Sequence, residues 1–474
     1  MANRRSVVKR RNPKNKTKTK TKTKTKTKTK RINQTGGLPK VVLLNTLEEH
    51  DGLVYAVAFH PTENPPLLAT CSSDNTAKLW RFSPDKSSAT CVATLEGHSS
   101  YVTSVAFHPT ANPSLLATCS MDHTAKLWRL SSDNSSATCV STLEEEGSIF
   151  SVAFHPTELL MATSGSGRRV ILWLITPDYS TKILSNLGTN GKKDEITSIA
   201  FYKYLMATGS NNYTAKLWWV DNKTPPYSGP TVNMFGEPTL LMHGHSVNSV
   251  AFHPTAYPPI LATGSSDKTV KLWSFDIKNV VRTKDLATLK GHSESVNCVS
   301  FHPTAPFLAS CSDDNTVKLW MLVALNTTPA IVICVATLRV NSIVNSVAFH
   351  PTEPLMASGN SDSTVELWNF EQFTIMWQRM LVLHRMSGMT RTLTSRLGID
   401  PRHSEPESQL IKNLSRNLES KLQRNIVDFF ADPHHYPTQL KQLQEIILRR
   451  SLTTPKRPKQ LLSAAAAPVE QDDD

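Results

Sequence analysis

Between residues 41 and 370 short apolar runs alternate with polar turns, four runs to a unit, and the unit recurs. In one copy, Tyr101–Phe107 is rich in Val and Ala and is closed by His108-Pro109-Thr110. Leu115–Ser120 follows, then Thr124–Trp128 after the Asp122-His123 turn, then Ala137–Leu143 after the polar loop Ser131–Ser136. Each copy ends in a tryptophan preceded by Leu: Trp80, Trp128, Trp173, Trp218, Trp273, Trp320 and Trp368, with gaps of 48, 45, 45, 55, 47 and 48 residues. Phe59, Phe107, Phe154, Phe201, Phe252, Phe301 and Phe349 mark the same period, six of them within Phe-His-Pro-Thr strings. Four short strands per copy predict one small antiparallel sheet. Such a sheet is marginal alone, with open edges and partly apolar faces, whereas seven set radially bury each face against the next. The pattern therefore predicts an all-β, seven-bladed β-propeller of four-stranded antiparallel blades.

The residues at fixed places in the repeat resemble the WD-repeat family, over about Val41 to Phe370. The resemblance implies a hydrogen-bonded set in each blade: a loop His, a strand Ser or Thr, a turn Asp and the Trp. Repeat one offers His50, Thr70, Asp74 and Trp80; repeat two offers His98, Thr118, Asp122 and Trp128. Repeat five offers His245, Thr263, Asp267 and Trp273; repeat six offers His292, Ser310, Asp314 and Trp320. Repeats three and four lack the His and carry Gly167 and Asn212 at the Asp position, and repeat seven has Val340-Asn341 in place of Gly-His. No tryptophan is followed by Asp.

Val41–Thr46 reads as a fourth strand with no three before it, and the last copy stops at its third strand near Trp368. The N-terminal strand is thus expected to complete the last blade and remove two open edges at once. The 18-residue insertion Asp221–Pro238 is expected as a loop on the end of the ring opposite the Gly-His loops. Beyond Trp368, the apolar segment Phe373–Leu383 fits either an extra strand or a packing segment. Ile411, Leu414, Leu418, Leu422 and Ile426 predict an amphipathic helix over Ser408–Phe430, and Leu440, Leu443 and Ile447 a second, shorter one. These helices either dock on the ring or each other, or bind a partner. Pro455–Asp474 is expected to be disordered.

Charge sharpens the picture. The net charge is +13, yet residues 1–40 hold 16 Lys and Arg and no acid, which leaves −6 on residues 41–370. The tail, with Lys9, Arg10 and Arg11 ahead of an alternating Lys/Thr run that includes Lys18, Lys20 and Lys22, is expected to be disordered by self-repulsion. It is either a nucleic-acid hook or nuclear-import signal, or a solubilising segment. With no aromatic residue for stacking, any nucleic-acid binding would lack sequence preference.

The seven cysteines include no C-x-x-C pair; Cys71, Cys119 and Cys311 share one repeat position and Cys91, Cys139 and Cys334 another, both read as small buried strand residues. No metal site or cofactor is expected, and His60, His108, His155, His253, His302 and His350 read as turn residues, one per blade. No secretory core or long apolar run is present, so the chain reads as soluble and intracellular, in cytoplasm or nucleus, without a membrane partner. Glycine-rich phosphate loops, H-E-x-x-H and G-x-S-x-G are absent, and the repeated Ser/Thr, His and Asp serve a tryptophan rather than a substrate. The expected function is non-enzymatic.

The resemblance implies a protein-interaction platform whose Gly-His loops and Asp turns share one end of the ring. Residues flanking the first Val of each copy, and the one before the turn Asp, are expected to point from that end. Leu53, Tyr55, Tyr101, Met121, Phe150 and Ile343 then cluster on blades seven, one, two and three, while Thr103, Thr197, Asn248, Asn297 and Asn345 supply polar positions. An apolar patch with polar surroundings is a candidate protein-docking site. Two functions stay open: a scaffold or adaptor for partner proteins, or a chromatin- or nucleic-acid-associated factor using the tail.

Overall fold

The computed structural model describes residues 39–188, 194–221, 231–234, 241–275, 283–325, 330–375 and 377. The Lys/Thr tail, both expected C-terminal helices and residues 455–474 lie outside them. The described residues form seven antiparallel sheets. Blade one is Val54–Phe59, Leu67–Ser72, Ala77–Phe82 and Ala89–Leu95, hydrogen-bonded in that order, and the later blades repeat the scheme. The first strands of successive blades touch all round the ring, blade seven against blade one included, so they line the axis. The second strands (LLATCS in blades one and two) are buried at every position, because both faces pack against a neighbouring blade. The core is accordingly divided into layers between blades; one joins Val54, Val57 and Trp80 of blade one to Leu355 and Leu367 of blade seven.

The ring closes as expected: Val42–Leu47 pairs antiparallel with Val365–Asn369 as the fourth strand of the last blade. Blade four departs from the expected long loop, since Thr231–Met234 within the insertion pairs with Trp218–Asp221, and Leu241–Met242 pairs further up the same strand. Past Trp368 the chain turns helical at residues 371–375. Phe373 is buried with Phe307 and Phe370, and Trp377 packs on the same cluster, so residues 371–375 and 377 serve as packing; residues 376 and 378–383 of the expected segment lie outside the described residues. The cysteines divide differently from expectation. Cys71, Cys119 and Cys311 are buried in second strands, but Cys139 and Cys334 are exposed and Cys91 half-buried, because they sit on outer strands that no blade covers.

Every first strand carries a β-bulge immediately after its first residue. The residue left without a partner in the second strand is Tyr55, Thr103, Phe150, Thr197, Asn248, Asn297 or Asn345. A bulge re-aims its side chain out of the ladder, and here it does so at the same height in all seven blades.

Candidate partner-docking face

The tryptophan set fixes the end of the ring where the bulges lie. In every blade the indole N–H donates to the strand Ser or Thr hydroxyl, from Trp173 to Thr163 at 2.7 Å up to Trp368 to Ser358 at 3.2 Å. In blades one, two, five and six that hydroxyl in turn lies 2.7–2.8 Å from a histidine Nε2. The other ring nitrogen reaches the turn aspartate, at 2.8 Å for His98 and Asp122. Burial lowers the pKa of His98, only partly offset by Asp122, so the ring is neutral. The carboxylate can only accept; Nδ1 therefore carries the proton and Nε2 accepts from the Thr118 hydroxyl. Burial acts to raise the Asp122 carboxyl, but the Thr124 hydroxyl, the Ser99 amide and His98 outweigh it and hold it at about 2. The result is a chain of directed bonds from indole to carboxylate that fastens the loop, the turn and two strands together.

In blade five the histidine is His243, not His245. His243 reaches Asp267 at 2.8 Å and Thr263 at 2.7 Å, whereas His245 is exposed against Tyr213, with ring centroids 5.1 Å apart. The loop length explains the correction, because His50, His98, His243 and His292 each stand four residues before the first strand residue, and His245 only two. The Gly-His dipeptide is a weaker guide than that spacing. In blade three Glu145 takes the same place and accepts from the Thr163 hydroxyl. In blade four Asp194 accepts from Asn212 at 2.8 Å. In blade seven the buried Val340 fills the position, and Asp362 is exposed.

The bulge residues form a belt around the channel mouth. Thr103, Thr197, Asn248, Asn297 and Asn345 each donate to the carbonyl of the next blade's first strand residue, Asn345 closing the circle on Val54 at 3.0 Å. These five are therefore half-buried joints between blades rather than free surface positions. Tyr55 and Phe150 occupy the two remaining bulges and have no amide or hydroxyl positioned for that bond. One residue further on, Ser104, Ser151, Ser198, Ser249 and Ser346 accept from a backbone amide of the next blade, at 3.1–3.4 Å. Ala56 and Cys298 stand at the other two places. The junction between blades one and two thus lacks both bonds.

Around this belt the residue before the first Val and the residue before the turn Asp are tied by a backbone hydrogen bond in all seven blades, as in Met121 to Tyr101 at 2.9 Å. Both expected surface positions therefore share one end of the ring. Leu53, Tyr101 and Ile343 are 40, 44 and 38 % exposed, and Tyr55, Met121 and Phe150 are half-buried. The Tyr55 and Tyr101 rings lie 6.2 Å apart across the one–two junction. On blades four to seven the equivalent side chains bond to one another instead: Asn248 with Ser266, Asn297 with Asp313, Asn345 with Ser361 and Asn211 with Glu195.

At the opposite end, each Phe-His-Pro-Thr histidine accepts the amides two and three residues on through Nδ1. It also lies against the repeat phenylalanine of the next blade, from His60 on Phe107 at 4.9 Å to His155 on Phe201 at 5.6 Å, with His350 on Phe59 closing the circle. In blade four Tyr202 stacks on Phe252 at 5.6 Å in the same role. Among the described residues no group of three or more His, Cys, Asp or Glu could hold a metal, and no helix is long and apolar enough to cross a membrane.

A seven-bladed ring pinned by tryptophan-centred polar sets defines the chain as a β-propeller repeat protein. The "WD domain, G-beta repeat" family model matches residues 41–81, 89–129, 137–173, 236–274, 283–321 and 332–369, and the chain belongs to the WD-repeat family. Those stretches omit the blade built on Trp218. Among curated relatives, the nuclear distribution protein PAC1 of Komagataella phaffii is 30% identical over 185 residues, 36% of this chain and 33% of its own length. The protein transport protein SEC13 of Pyricularia oryzae is 30% identical over 105 residues, 19% of this chain and 36% of its own length. The protein transport protein SEC31 of Yarrowia lipolytica is 27% identical over 179 residues, 37% of this chain and 14% of its own length. The chain thus spans about a third or less of each of these relatives.

Proposed function

We propose that this chain is a non-enzymatic scaffold that docks a partner protein on the His-loop end of its ring, over blades seven, one, two and three. Leu53, Tyr55, Tyr101, Met121, Phe150 and Ile343 make the contact. The observation that carries this reading is the interrupted belt: the two bulges without a belt donor hold Tyr55 and Phe150, and Tyr55 lies against the exposed Tyr101. A position that forgoes a bond worth about 0.5–1.5 kcal/mol for a half-exposed aromatic ring is better explained by binding than by folding. Aromatic rings in such a place are the usual anchors of protein interfaces. The roles named for the relatives, nuclear distribution and protein transport, fit an assembly platform. The test is affinity capture with Tyr101→Ala and Phe150→Ala combined. Loss of the partners held by the unaltered chain is expected, and their full retention places docking elsewhere. Deleting residues 1–37 separates this reading from a nucleic-acid one: partner capture should persist, and a DNA or RNA mobility shift lost with the tail would favour the alternative.

A further inference from the structure

We propose that the docked segment is a peptide with apolar or aromatic anchors flanked by lysine or arginine. This rests on the docking reading above and adds the chemistry of the partner. The loops entering blades one, two and three (residues 48–53, 96–101 and 145–148) contain six acids and no Lys or Arg. Glu48, Glu49, Asp51, Glu96 and Glu146 are exposed there, and Glu144 is exposed at the end of the strand before the third loop. Of the cations close by, Arg169 pairs with Glu146, while Lys78 and Lys126 bond to the Thr94 and Thr142 hydroxyls and leave Glu48, Glu49, Asp51 and Glu96 in the acidic majority. The three loops entering blades five, six and seven hold one acid, Glu294, paired with Lys268 at 3.2 Å. Acidic charge is therefore concentrated at the loops entering blades one, two and three and sparse at those entering blades five, six and seven.

Charge at an interface rim selects partners and speeds encounter, and its reach at physiological salt is about 8 Å. Tyr55 and Tyr101 add ring faces that favour cations at the margin of an apolar contact. A polyacidic or neutral segment meets repulsion or no steering here, while a purely basic one leaves the rings without a filling group.

The test selects a phage-displayed random dodecapeptide library on the immobilised full-length chain and measures fluorescein-labelled versions of the recovered peptides by anisotropy. Recovered sequences should combine an aromatic or aliphatic anchor with net positive charge. Their affinity should fall about tenfold or more for Glu48→Lys, Glu49→Lys and Glu96→Lys combined, and less than about twofold for Glu294→Lys. Rising salt should weaken binding to the unaltered chain, a readout that needs no variant to fold. Neutral or acidic peptides, no recovered peptide, or indifference to both charge reversal and salt overturns the proposal. So does a synthetic peptide of residues 12–31, basic and without apolar anchors, that binds as tightly as the selected ones. If selected peptides obey the charge rule but still bind the Tyr101→Ala, Phe150→Ala chain, the docking surface is wrong rather than its chemistry.

Discussion

The two ends of the ring are built by opposite rules. At the Phe-His-Pro-Thr end all seven blade junctions are closed by an aromatic contact, six from His to Phe and one from Tyr202 to Phe252. At the His-loop end the belt of bulge residues closes five junctions and leaves out those beginning at Tyr55 and Phe150. Where blade four departs from the repeat at the first end, another aromatic preserves the contact. At the second end the departures bring rings toward the surface, with Tyr55 against Tyr101 across the one–two junction, and no belt hydrogen bond is made from either bulge. The unbroken end is uniform around the ring, and the broken one carries the variation on which the proposed docking face rests.

Substitutions at each end should separate these roles. The largest effect on stability belongs to the unbroken end: Phe252→Ala removes a buried ring packed on Tyr202 and Phe275, and should lower unfolding free energy by about 3–5 kcal/mol. Chemical denaturation measures this, and partner affinity below the melting temperature should be unchanged. Tyr101→Ala should do the reverse, weakening partner binding by about 2 kcal/mol or more in a titration while shifting the melt little.

Blade seven offers a pH-dependent intermediate. Glu366 is buried where most other blades carry Lys, one carboxyl oxygen has no partner, and burial together with Asp362 raises its pKa to about 7. The folded chain therefore holds this proton more tightly than the unfolded one, so stability is undiminished below about pH 4.5 and falls as pH rises toward 7. Glu366→Gln should raise the melting temperature at pH 8 and leave it nearly unchanged at pH 4. The smallest effect is at the intact belt: Asn345→Ala loses its bonds to the Val54 carbonyl and the Ser361 hydroxyl and should destabilise by about 0.5–1.5 kcal/mol for each, with partner binding unaffected.

Much of this was legible in the chain. The Leu-Trp endings and four apolar runs specify the blades, and Val41–Thr46 foretold the closing strand to within a residue at each end. The Gly-His dipeptide points to His245, whereas the distance to the first strand residue picks out His243. The belt is hidden in the sequence for a different reason. Thr103 and Asn297 stand at positions that a single blade presents outward, and only the neighbouring blade's carbonyl makes them joints. The Phe-His contacts are hidden likewise, since each histidine's turn is local but its ring partner is one repeat away. Cross-blade geometry has no period within one blade from which to read it.

The central claim is that Tyr55 and Phe150 are kept for a partner and not for the ring. Replacing both with asparagine, the residue that makes the belt bond in blades five, six and seven, tests it most directly when melting temperature and partner affinity are measured on the same sample. The expected result is a melting temperature that holds or rises together with loss of binding. A melt several degrees lower with binding intact would make the two rings structural and remove the basis of the docking face.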